Sequence, residues 1–95
     1  MSTKAEREHM SRVGRLGCIV CRNEDHGPTP AELHHPRAGQ GTGQKASHMD
    51  VIPLCHTHHR TGGHGVAIHA GQMTWEAKFG TEAELLEQVK AILNA

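Results

Sequence analysis

LCHTHHRTGGHGVAIHAG, residues 54–71, holds five of the ten histidines of this 95-residue chain, at positions 56, 58, 59, 64 and 69. Histidine ligates metals and exchanges protons near neutral pH, so such crowding calls for a chemical explanation. Within the stretch, Cys55 and His58 are separated by two residues. That gap lets both side chains of a tight turn face one ion, and the stretch therefore indicates a metal site around which a small fold can form.

A second pair with the same gap, Cys18 and Cys21, lies upstream, and 33 residues separate the two pairs. Two such pairs are a common way for a chain to supply a closed tetrahedral zinc site. A zinc site of this kind uses all three cysteines, and spacing favours His58 over His56 or His59 as the fourth ligand. The competing interpretation is that the three cysteines are free thiols of the core.

The composition supports a metal-stapled domain. Only 36% of the residues are apolar, with one Phe, one Trp and no Tyr. A single small domain with so few core residues usually needs disulfide bonds or a structural metal ion to be stable. An odd number of cysteines, no signal peptide and no long apolar run predict a reduced, cytoplasmic protein without a membrane segment. Ten basic and ten acidic residues balance, which argues against binding nucleic acid by bulk charge alone.

The pattern along the chain predicts an α+β fold in one domain. Capping boxes at Thr3–Glu6 and Thr81–Glu84 begin predicted helices over 3–16 and 81–94. Trp75 is assigned to the core, and the apolar face of 81–94 packs either on the domain or on a second copy, as a homodimer. The remaining predicted elements are a tight turn at 18–21, strands at 31–37 and 49–55, a glycine-rich loop at 38–47, a helix opening at 56–60 and a short helix at 72–80.

A second set of histidines suggests a second ion. Neighbouring residues of a strand face opposite sides, so one of His34 and His35 can bind a metal while the other faces elsewhere. His59 follows His58 on a predicted helix, where successive side chains diverge by about 100°. One helix start can therefore serve two ions on two faces.

Together, CIVC (18–21), ELHHPR (32–37) and ASHMDVIPLCHTHHR (46–60) resemble the zinc-stapled HNH nucleases of the ββα-metal (His-Me finger) fold. They are most similar to the phage recombination-enhancement type. The resemblance covers roughly residues 17–80 and implies a ββα-metal core at about 18–70, flanked by an N-terminal helix and C-terminal helices at 72–94. HH alone is a weak signal, whereas CxxC, HH and PLCxxHH in this order are a specific one.

The resemblance also implies roles for individual residues. His34 becomes a ligand of the catalytic metal, His35 the general base and His59 a second ligand. The family's middle Asn corresponds to Asp50, a departure that leaves this residue to hold the base or to reach the metal. For the third ligand we favour His69, in IHAGQMTWEAKFG (68–80), over His64.

The implied activity is hydrolysis of DNA phosphodiester bonds, as nicking with weak sequence specificity, in a bacterial or phage-infected cell. It needs a structural Zn²⁺ and one divalent catalytic metal, Mg²⁺, Mn²⁺, Zn²⁺, Ni²⁺ or Co²⁺. DNA is the expected partner, with a recombination or DNA-processing protein as a further partner. Arg37, Lys45 and Arg60 flank the motifs and are candidate phosphate contacts, and the alternative is that they are ordinary solvated surface charges. Two alternatives compete: a non-catalytic zinc module that binds nucleic acid or protein, and a histidine-rich metal-binding protein with interchangeable sites.

Overall fold

The computed structural model describes residues 2–36 and 48–95. In these ranges the chain forms four α-helices, a two-stranded antiparallel sheet and two short helical turns of other types. The predicted α+β class is therefore confirmed. The elements follow one another as α1 (Lys4–Arg15), α2 (Ile19–Asn23), β1 (Glu32–His34), β2 (Ile52–Leu54), a π-helix (Thr57–Thr61), a 3₁₀ helix (Ile68–Ala70), α3 (Gln72–Phe79) and α4 (Glu82–Leu93).

Both long helices begin where their capping boxes predict. The Thr3 hydroxyl accepts the Glu6 backbone N–H while the Glu6 carboxylate accepts that of Thr3, and Thr81 and Glu84 repeat the arrangement. Each box satisfies backbone donors that the first turn of a helix leaves unpaired. The boxes thus fix the starts of α1 and α4, the helices that contact each other and the sheet.

The predicted tight turn at 18–21 is instead the start of a helix. Cys18 is the N-cap of α2, and its Sγ accepts the backbone N–H of Cys21 at 3.5 Å. Gly17 adopts φ +78°, and a Cβ atom there would lie 2.9 Å from the Thr29 carbonyl oxygen. Only glycine fits this left-handed, crowded position between α1 and α2 without strain.

The pairing of β1 with β2 places His34 opposite Ile52, at the end of the ladder. In the antiparallel register Glu32 faces Leu54, Leu33 faces Pro53 and His34 faces Ile52. The predicted strands are longer than those observed, because regular pairing ends after three residues on each side. Pro53 has no N–H to donate to the ladder, and it is tolerated because both strands that the described residues form are edge strands.

Around the sheet lies one apolar core to which all four α-helices and the 3₁₀ helix contribute. Trp75 is fully buried, as predicted, and its indole N–H donates to the Val66 carbonyl at 3.0 Å. On α4 the residues of the apolar face pack against this same core. The most deeply buried apolar side chains are Val13, Ile19, Val20, Val51, Ile52, Pro53, Leu54, Ala67, Ile68, Trp75, Leu85 and Val89.

The predicted helix opening at 56–60 is a π-helix. Its closing bond runs from the Gly62 N–H to the Thr57 carbonyl at 3.0 Å, five residues back. A Cβ on Gly62 would come within 2.5 Å of both that carbonyl and Val66, so the tight closure depends on glycine. Single π-turns often occur at functional sites, and this one carries His58 and His59.

Candidate metal centres and active site

Three cysteines and one histidine form the first cluster. The ligand atoms of Cys18, Cys21, Cys55 and His58 all lie within 4.8 Å of one another. Nδ1 of His58 is 3.6 Å from Sγ of Cys18, 3.6 Å from Sγ of Cys21 and 3.2 Å from Sγ of Cys55. The cysteines are free, and 3.9 Å separates the sulfurs of Cys21 and Cys55, far longer than a disulfide bond of about 2.05 Å. This cluster can hold a metal ion.

The first cluster joins α2 to the segment formed by β2 and the π-helix. Cys18 caps α2 and Cys21 lies within it, whereas Cys55 follows β2 and His58 stands on the π-helix. Burial raises the pKa of the Cys18 thiol to about 12, and a bound cation favours the thiolate instead. Nε2 of His58 lies 3.9 Å from a Glu24 carboxylate oxygen. His58, which spacing favours over His56 and His59, is the histidine whose ring nitrogen lies among the three sulfurs.

Three histidines form the second cluster. The ligand nitrogens of His34, His59 and His69 lie within 4.8 Å of one another. His34 ends β1 and is buried, His59 is half-buried on the π-helix, and His69 is exposed on the 3₁₀ helix. Nε2 of His59 and Nε2 of His69 are 2.9 Å apart. Three imidazoles from three elements thus converge on one point, and they too can hold a metal ion.

A glutamate backs His59 in this cluster. Nδ1 of His59 lies 2.9 Å from Oε1 of Glu32, and a carboxylate only accepts, so the proton belongs to Nδ1 and a neutral His59 keeps its lone pair on Nε2. Arg60 donates to both Glu32 oxygens, at 2.6 and 2.9 Å in its shortest contacts. The hydrogen bond from Arg60, and to a smaller extent that from His59, lowers the pKa of Glu32 to about 2. Carboxylates in this place commonly fix the tautomer of a metal-binding histidine.

His35 lies on the wall of the same cleft. Leu33, His35 and the three clustered histidines line an open depression of about 280 Å³. His35 is half-buried, and its Nε2 is 3.1 Å from Nδ1 of His48. Burial, with the neighbouring His48 as a second cause, lowers the pKa of His35. Sequence reasoning gave His48 no role, because no motif marks it.

Other candidates lie outside the second cluster. Asp50 forms an ion pair with Lys90 at 3.3 Å on the surface, and the residue in contact with the His35 ring is His48. His64 directs Nδ1 to the Ala70 carbonyl at 3.4 Å, and only His69 of the two alternatives belongs to the cluster. His56, which spacing disfavours as a ligand, is exposed and contacts Thr61 at 3.1 Å. Arg37 and Lys45 lie outside the described residues.

In the described part of the chain, no helix combines the length and apolar character needed to cross a bilayer. A comparison with curated proteins returns no match. The family model described as "Recombination enhancement, RecA-dependent nuclease" matches residues 2–94, nearly the whole sequence. The chain therefore belongs to the family of recombination-enhancement, RecA-dependent nucleases.

Proposed function

We propose that the protein is a metal-dependent DNA endonuclease of the HNH type that nicks its substrate with weak sequence specificity. The observation that carries the proposal is the meeting of His35 with His34, His59 and His69 at one open cleft. A group able to take a proton thus lies beside a group able to hold a cation. A non-catalytic zinc-binding module does not account for His35 beside the cluster of His34, His59 and His69.

For the first cluster we propose a structural Zn²⁺. Zn–S bonds of about 2.3 Å and Zn–N bonds of about 2.0 Å at tetrahedral angles separate two sulfurs by about 3.8 Å and sulfur from nitrogen by about 3.5 Å. The observed 3.9 Å between Cys21 and Cys55, and 3.2 to 3.6 Å from the sulfurs to His58, suit such an ion. Four protein ligands leave no open position, as expected of an ion that only holds the fold.

For the second cluster we propose the catalytic divalent metal, held by His34, His59 and His69. Imidazole ligands suit Zn²⁺, Ni²⁺ and Co²⁺, and Mn²⁺ or Mg²⁺ remain candidates when phosphate oxygens complete the site. When bound, the ion would stabilise the negative charge that develops at the scissile phosphate and the leaving oxygen. Three protein ligands and an open cleft leave room for that phosphate.

His35 acts as general base in this proposal. Water is a poor nucleophile at neutral pH, and a neutral imidazole at the cleft wall can take its proton as it attacks phosphorus. His48 contacts the His35 ring and restrains its orientation. Asp50, which the resemblance aligned with the family's middle Asn, pairs with Lys90 instead, and we assign the contact to the base to His48.

We propose that Arg37, Lys45 and Arg60 contact the DNA backbone. A formal net charge of zero provides little general attraction for DNA, so a partner has to bring the substrate and the nuclease together. The family description makes the nuclease dependent on RecA, and we extend that dependence to this chain.

The test is a nicking assay on supercoiled plasmid and on RecA-coated DNA, with each divalent metal in turn. His35→Ala should abolish cleavage while the protein keeps two metal ions, because the base binds neither ion. His56→Ala, a histidine outside both clusters, is the matched control and should cleave normally. One ion per chain, or cleavage by His35→Ala at the wild-type rate, would exclude the proposed arrangement.

A further inference from the structure

Glu82 is the first residue of α4, yet its side chain is only 1% exposed. A carboxylate is costly to bury unless its acceptor sites are satisfied. Its Oε2 lies 2.5 Å from Nε2 of His34, itself 2% exposed. Its Oε1 accepts from the side-chain amide of Gln72 at 2.9 Å. Each oxygen of the Glu82 carboxylate therefore has a hydrogen-bond partner, and one of these partners is a ring nitrogen of His34.

The contact determines which nitrogen of His34 can bind a metal. A carboxylate accepts and does not donate, so the proton of the short contact belongs to Nε2 of His34. A neutral His34 then keeps its lone pair on Nδ1, and as a ligand it binds through Nδ1. Glu32 performs the corresponding task at His59, where the protonated atom is Nδ1 and the lone pair is on Nε2.

Glu82 itself stands behind the cluster rather than in it. It is not among the residues whose ligand atoms lie within 4.8 Å of one another, whereas ligands of one ion with bonds of about 2.1 Å cannot be more than about 4.2 Å apart. Both C-terminal helices hold it in this place. Gln72 on α3 donates to the carboxylate, and the Glu82 backbone N–H donates to the Glu76 side chain on α3 at 2.8 Å.

We propose that Glu82 is a positioning residue for the catalytic metal. Through its bond to His34 it fixes the tautomer and ring orientation of that ligand, which makes the α3–α4 pair part of the nuclease site as well as part of the core. The inference rests on the proposed role of His34, His59 and His69 as metal ligands.

Cobalt binding tests this role separately from cleavage. Protein carrying one Zn²⁺ in the cysteine cluster is titrated with Co²⁺, and its visible absorption reports both affinity and ligand geometry. Glu82→Gln should weaken Co²⁺ binding roughly 10- to 100-fold, as loss of a carboxylate behind a histidine ligand commonly does, with a changed spectrum. Glu87→Gln, the same exchange at an exposed position of α4, should bind as the wild type does.

Gln72→Ala provides a second variant should Glu82→Gln fail to fold by circular dichroism. It leaves the carboxylate in place but removes the amide that holds it, and a several-fold loss of Co²⁺ affinity is expected. Wild-type affinity and spectrum in the folded Glu82 variant, or in the Gln72 variant when it alone folds, would overturn the inference and leave the proposed function intact. A wild-type protein that takes up no Co²⁺ would overturn both.

Discussion

Nε2 of His59 and Nε2 of His69 lie 2.9 Å apart, although one residue stands on the π-helix and the other on the 3₁₀ helix. Two ring nitrogens meet in this way when they share a proton or a metal ion. His64, five residues before His69, turns its ring to the Ala70 carbonyl instead. The two candidates for the third ligand are thus separated by geometry.

His69→Ala is therefore expected to lower the affinity for the proposed catalytic metal by at least tenfold, because only two of the three imidazole ligands remain. Nicking should fall accordingly. His64→Ala should retain wild-type metal content and nicking. Metal titration of both variants, with nicking measured at a fixed free metal concentration, checks this. Loss of activity in His64→Ala alone would reverse the assignment.

Removing the Zn²⁺ proposed for Cys18, Cys21, Cys55 and His58 should unfold the domain. Zinc binding to small structural sites contributes on the order of 10 kcal/mol or more to folding at neutral pH, comparable to the whole stability of a small domain. We expect a strong chelator, or Cys21→Ser, to abolish the cooperative thermal transition seen by circular dichroism. His69→Ala is the control, since it should unfold cooperatively near the wild-type temperature. An unchanged melting curve after complete zinc removal would contradict the structural role.

His48 and Asp50 are predicted to differ sharply although they are two residues apart. His48→Ala should slow nicking about tenfold, part of the roughly 100-fold or greater contribution of a positioned general base. Asp50→Asn should leave the rate within about twofold, because an exposed pair with Lys90 contributes little. Single-turnover nicking rates at saturating metal compare the two. A severe defect in Asp50→Asn with normal cleavage by His48→Ala would restore the role that the resemblance gave Asp50.

Arg60 joins two expected functions in one side chain. Its guanidinium is 58% exposed and bonds to Glu32, which in turn bonds to His59. Arg60→Gln should weaken metal binding several-fold, because Glu32 is then held less firmly behind His59. It should also reduce the slope of log DNA affinity against log salt concentration by about 1, as the loss of one phosphate contact does. Cobalt titration and a salt series of DNA binding separate the two effects. Wild-type behaviour in both measurements would remove Arg60 from the site.

Local signals in the sequence predict much of this architecture. The capping boxes of α1 and α4 involve residues three positions apart, and the buried Trp75 follows from its size and the scarcity of aromatic side chains. Paired ligands with a two-residue gap, Cys18 with Cys21 and Cys55 with His58, are equally local. Of the histidines that gather at the cleft, the family pattern indicates His34, His35 and His59, and it favours His69 over His64 without deciding between them. The π-helix that presents His59 was predicted as an ordinary helix opening.

Contacts across the chain could not be predicted in this way. His34 and Glu82 are 48 residues apart, and Glu82 looks in the sequence like an ordinary acidic residue in the first turn of a helix, where it suits the helix dipole. Nor does any pattern distinguish His48 from Asp50 as the neighbour of His35. These pairs depend on how β1, β2 and α4 pack, which is settled by the whole core rather than by spacing.

His58 and His59 are consecutive residues of one five-residue π-helix. In the proposed function the first is committed to the ion that holds the fold and the second to the ion that serves cleavage. The nuclease would then acquire its activity in a fixed order, since the second site has no rigid frame until the first is filled. A chain made without zinc would then be inert toward DNA, and the supply of zinc would limit how much active nuclease a cell contains.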